Sequence, residues 1–96
     1  MKSIGELLKQ LREEKKQLLR EVAAGVNMDQ GLLSKIERGE RLPTKHQVVK
    51  FAHFFNVKGN ELILAWLSDK LVNELVDEDL AKEALKIAEI KILQKK

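Results

Sequence analysis

Five residues of one short segment carry groups suited to recognition rather than to bond-breaking: Gln30, Gly31, Ser34, Lys35 and Arg38. At helical spacing they fall on one side of a helix, with Leu32, Leu33 and Ile36 turned the other way. An amide, a hydroxyl, an ammonium and a guanidinium supply donors and acceptors, and Gly31 is bare enough for close approach. Such a face suits a partner that accepts hydrogen bonds and carries negative charge. The charge distribution agrees: residues 1–45 hold ten Lys/Arg against seven Asp/Glu, whereas residues 60–89 hold three Lys against eight Asp/Glu. A basic front and an acidic back fit a chain that meets a polyanion with one face only.

Covalent catalysis is not provided for. No nucleophile sits with a base, no carboxylates cluster with a histidine, and no glycine-rich phosphate loop is present, so an enzyme is not expected. His46 and His53 are seven apart and share a helix face. With zero Cys and no further ligand in spacing they are read as solvent or packing residues, and neither a metal nor a cofactor is expected. No small-molecule pocket announces itself.

The elements that position the five residues can be read from caps and apolar stripes. Ser3 and Glu6 make a capping box ahead of a first helix with the stripe Ile4, Leu7, Leu8 and Leu11. A second helix carries Leu18, Val22, Ala23 and Val26 on one side. Asn27, tolerant of a left-handed backbone, marks a turn, and Asp29 caps a third helix that ends at Gly39. Ala23 must be small where the third helix crosses, while Met28, Leu33 and Ile36 fill the angle between the two. Thr44 and Gln47 form another capping box for a fourth helix with Val48, Phe51, Ala52 and Phe55 inward and Asn56 as terminator. A fifth helix is predicted from about Asn60 to Val76, and a sixth, capped by Asp77, from about Glu78 to Gln94.

At 96 residues, 44% hydrophobic and 34% charged, the chain predicts an all-α globular protein with one modest core. No run reaches the roughly 20 apolar residues of a membrane span, and the start lacks an apolar leader, so a cytoplasmic location is expected.

The stretch from Val22 to Gly39, and above all Leu33-Ser34-Lys35-Ile36-Glu37-Arg38-Gly39, resembles the helix-turn-helix of the lambda-repressor-like, or Xre, family. Arg41, Pro43-Thr44 and the spacing from Val57 to Glu61-Leu62 extend the resemblance over roughly residues 3–65. It implies a five-helix DNA-binding domain over residues 1–65, followed here by a C-terminal helical extension, residues 66–96, packed on the same domain. The third helix would lie in the major groove, with Gln30 addressing adenine, Lys35 addressing guanine or phosphate, and Ser34 a weaker contact. Gly31 offers no side chain where relatives often read a base, which leaves that base pair to shape or neighbours. Arg38, Arg41, Thr44 and Lys45 would hold phosphates, and Arg12 with Glu37 would form a structural ion pair between the first and third helices. Two departures stand out. Leu18 replaces the usual Thr or Ser cap of the second helix, and Leu19 replaces a phosphate-binding Gln.

Relatives act as two-fold dimers on palindromic operators, so a homodimer on double-stranded DNA is expected, with Trp66, Leu67, Leu85, Ala88 and Ile92 at the dimer surface. The resulting function is a sequence-specific transcriptional regulator, a repressor or autoregulator, most like the small controllers of restriction–modification operons. The alternative is an antitoxin-like or protein-interaction module that keeps the fold and binds DNA weakly or not at all. Leu18 and Leu19 favour that alternative, and for an antitoxin the basic tail Lys91 to Lys96 with the sixth helix would be the toxin-binding surface.

Overall fold

The computed structural model describes residues 1–96 as six α-helices and no strand. They are α1 (Ile4–Glu14), α2 (Leu19–Gly25), α3 (Gln30–Glu37), α4 (Lys45–Phe54), α5 (Glu61–Leu75) and α6 (Ala81–Lys95). The all-α expectation holds, with α1 to α5 forming one bundle and α6 following as an additional helix.

The apolar stripes close on one core. Ile4, Leu8, Val22, Leu33, Ile36, Val48, Phe51 and Leu62 are its fully buried members, drawn from all of the first five helices. The Ser3–Glu6 and Thr44–Gln47 capping boxes both form, and the Asp29 carboxylate accepts the Leu32 amide at 3.0 Å to start α3.

Four successive helices end in the same way. Lys16 (φ 54°), Asn27 (φ 54°), Gly39 (φ 77°) and Asn56 (φ 55°) take left-handed backbone just past α1, α2, α3 and α4. The next amide in each case donates back into the helix: Gln17 to Arg12, Met28 to Ala23, Glu40 to Lys35 and Val57 to Ala52, at 2.8–3.0 Å. These are Schellman ends, which satisfy carbonyls that a helix otherwise leaves open. Asn27, Gly39 and Asn56 suit the conformation. Lys16 does not, and its position is the one such turn absent from the expected set.

Two helix starts differ from expectation. Leu18 is not on the inner side of α2; it is the N-cap residue and 49% exposed, and Leu19 packs against the core instead. Its side chain has no acceptor, so only half a capping box exists there, the Leu18 amide donating to Glu21 Oε1 at 2.8 Å. Likewise α6 does not begin after Asp77. It starts at Ala81, with Leu80 as an N-cap that makes no side-chain hydrogen bond.

The C-terminal extension is not packed on the domain along its whole length. The first half of α5 is in the core through Leu62, Ala65 and Trp66, but α6 has no buried residue. Leu85, Ile87, Ile90, Ile92 and Leu93 are all exposed. The radius of gyration is 15.1 Å, against about 12 Å for a compact chain of this length. The physical reason is geometric. After Leu75 the chain has passed the bundle, and α6 finds no second apolar surface within its own chain.

Candidate nucleic-acid interface

The α2–turn–α3 unit is built around Ala23, which is buried and leaves room for α3 to approach. Val22, Val26, Leu33 and Ile36 are buried around it, and Met28 packs at the edge. With α3 held by its apolar side, the opposite side must face outward. Gln30, Gly31, Lys35 and Arg38 are exposed there, and Ser34 is half-buried. Arg41, Thr44 and Lys45 are also exposed, in the loop after α3 and at the start of α4. Thr44 Oγ1 accepts the Gln47 amide at 3.2 Å, so its hydroxyl proton stays available to an acceptor.

The outward face is anchored from behind by Arg12 of α1. Its guanidinium grips Glu37 in a fork, Nε to Oε2 at 2.8 Å and Nη2 to Oε1 at 2.9 Å, and its Nη1 donates to the Gln17 carbonyl at 3.0 Å. The two side chains are only 14% and 6% exposed. The hydrogen bond from Arg12 to Glu37 raises the arginine pKa above its ordinary value, outweighing the opposing effect of burial. Both charges are thus paired and used inside the fold. Gly5 completes this junction: a Cβ there would sit 2.2 Å from the Ile36 carbonyl oxygen, so α1 meets the backbone of α3 directly.

Two contacts on the face escaped the sequence reading. Arg38 is not free; its Nε lies 2.5 Å from Glu40 Oε2, and its Nη1 donates to Ser34 Oγ. Hydrogen bonding to Arg38 holds the Glu40 carboxyl below the ordinary carboxylate range. The signal was an acid placed directly after the helix-ending glycine, where the turn brings it back over the last turn of α3. The second is the loop itself. Pro43 is buried, and its carbonyl accepts the Trp66 indole N–H at 2.7 Å. Trp66 therefore does not belong to an outward dimer surface. It is 8% exposed and packs within its own chain, because its N–H finds a partner there and Lys70 Nζ covers the ring at 4.6 Å from the centroid. Of the other residues expected at that surface, Leu67, Leu85 and Ile92 are exposed and Ala88 is half-buried.

A family model described as a helix-turn-helix domain matches residues 3–64, about two thirds of the chain. The chain belongs to the helix-turn-helix domain family. That places it among DNA-binding proteins and assigns the polar face of α3 to the helix of the motif that follows the turn. The helix-turn-helix match ends in the first turn of α5, so Trp66 and all of α6 lie beyond it. No curated protein and no solved structure matches the chain significantly. No helix is long and apolar enough to cross a membrane.

Proposed function

We propose that this helix-turn-helix protein is a sequence-specific transcriptional regulator of the lambda-repressor-like, Xre type, acting as a repressor or autoregulator in the cytoplasm. The observation that carries the reading is the continuity of one polar, cationic face. Gln30, Ser34 and Lys35 on α3 run into Arg38, Arg41, Thr44 and Lys45 without an apolar interruption at the surface. Under this reading α3 enters the major groove. The Gln30 amide reads adenine, Lys35 reads guanine or a phosphate, Ser34 adds a weaker contact, and Gly31 permits close approach. Arg38, Arg41, Thr44 and Lys45 neutralise phosphates on either side of the groove.

The unit on DNA is a homodimer on a palindrome. Exposed Leu67 and Leu71 on α5, with Leu85 and Ile92 on α6, supply the apolar surface that a second copy would cover. A controller of a restriction–modification operon is the kind of regulator that this layout most resembles.

The test is selection of random duplex DNA by the full chain, with a Gln30→Ala, Lys35→Ala variant beside it and sedimentation to count subunits. Enrichment of a palindrome by the wild type only, bound two chains to a site, supports the reading. Failure to bind DNA even at low salt sinks it. A second reading is then favoured by Leu18, an exposed apolar residue at the start of α2, and by the bare apolar side chains of α6. It is that of an antitoxin-like or protein-interaction module on the same fold.

A further inference from the structure

We infer that Trp66 is a positioning residue for DNA binding: from α5 it fixes the loop that presents Arg41, Thr44 and Lys45. The inference rests on the functional reading above and adds to it a residue outside the matched helix-turn-helix segment.

The loop from Gly39 to Pro43 is tied at its start, where the Gly39 and Glu40 amides close the end of α3. Beyond that point the backbone of Arg41, Leu42 and Pro43 makes a single hydrogen bond within the chain, the one from Trp66 Nε1 to the Pro43 carbonyl. This bond spans 23 positions, is buried, and lands on the residue immediately before Thr44, the N-cap of α4. The conformation of Arg41 and the placing of the first turn of α4 therefore hang on a donor from α5. The donor is itself immobile. Trp66 is in the core cluster, and Lys70 lies over its ring.

The consequence is separable from general stability. Removing the N–H leaves a buried carbonyl unpartnered and lets the loop sample other shapes. Contacts to phosphate from Arg41, Thr44 and Lys45 weaken, while Gln30 and Lys35, carried by α3, keep their places. Phosphate contacts set affinity and its salt dependence, and base contacts set selectivity. The mark of a positioning role is thus weaker binding to every duplex, a shallower salt slope and an unchanged preference for the selected sequence.

The experiment compares the wild-type chain with Trp66→Phe, and with benzothienylalanine at position 66, which keeps the bicyclic shape and lacks only the N–H. Binding to the selected duplex and to a scrambled one is titrated over a salt series, and trypsin cleavage after Arg41 is timed without DNA. The expected result is affinity lower by about five- to ten-fold on both duplexes. The slope of log affinity on log salt falls by about 1 to 2, and cleavage after Arg41 accelerates. A folded variant with wild-type slope and wild-type cleavage overturns the inference alone. So does a loss of preference between duplexes in step with affinity. Absence of DNA binding by the wild type overturns the functional reading, and this inference with it.

Discussion

The carboxylate of Asp69, on α5, accepts the backbone amide of Ile4 at 2.7 Å and so caps the first turn of α1 from 65 positions away. Ser3 already serves the Glu6 amide, and Asp69 serves one that Ser3 does not reach. The start of α1 is therefore held both by its own N-cap and by α5, which carries the Trp66 contact to the α3–α4 loop one turn earlier.

Asp69→Ala is expected to lower stability by about 1–2 kcal/mol, since it orphans a partly buried amide at a helix start and removes a favourable charge there. A urea melt followed by circular dichroism checks this. A midpoint unchanged from wild type would mean that water serves Ile4 equally well.

Gly5→Ala tests the closest approach in the molecule. Alanine is the better helix former by about 1 kcal/mol, so on propensity alone the variant would be more stable. The added Cβ would meet the Ile36 oxygen at 2.2 Å and the Glu37 oxygen at 3.1 Å, both backbone atoms that cannot swing aside. Overpacking should win, with a net loss of about 1–3 kcal/mol and a correspondingly lower melting temperature. A rise in melting temperature would refute the contact.

Lys16→Gly should act in the opposite direction. Lys16 is exposed and holds a φ of 54°, a region that disfavours side chains. Glycine relieves that strain at some entropic cost in the unfolded chain, for a net gain of about 0.5–1 kcal/mol. The thermal midpoint reports it, and Lys16→Asn should show the same sign.

Glu40→Gln is expected to strengthen DNA binding by about two- to five-fold, because Glu40 occupies the guanidinium that a phosphate would otherwise take. The salt slope should steepen by about 0.9, and the gain should vanish in an Arg38→Gln background. A gain that persists there would point to loss of negative charge alone. The pH dependence has a definite sign. The Glu40 carboxyl titrates below its ordinary 4.5, so the pair is intact at neutral pH. It is lost only as pH falls through that depressed value. The two proteins should differ in affinity throughout the neutral range and converge only in acid.

Much of the bundle was legible because its signals are local. Caps at Ser3, Asp29 and Thr44, terminators at Asn27, Gly39 and Asn56, and stripes of period 3.6 each depend on residues within a few positions. Leu18 misled because an apolar residue next to a helix reads as part of its stripe, and only the position of the first turn shows that it is the cap. Trp66 misled for a different reason. Its indole suits an interface as well as a core, and its partner is the carbonyl of Pro43, which no side-chain pattern reports. The Glu40 contact and the Asp69 cap were unreadable in the same sense, since both are set by how separate segments come to rest. For α6 the apolar residues were visible, but nothing local distinguishes a face covered in cis from one left bare.

The bare backbone contact at Gly5, together with the Arg12–Glu37 fork, has a bearing on how such a protein could acquire new targets. A helix seated on side chains can be re-aimed by swapping a large residue for a small one. Here α3 rests on the peptide backbone of α1 and is pinned by a bidentate pair, so its angle and depth are set by parts that admit little variation. Changes of preference must then come one exposed position at a time, by exchanging the groups at Gln30, Gly31, Ser34 and Lys35 on a fixed rail. Gly31 is the position with most room for novelty, because any side chain placed there adds a contact without displacing one.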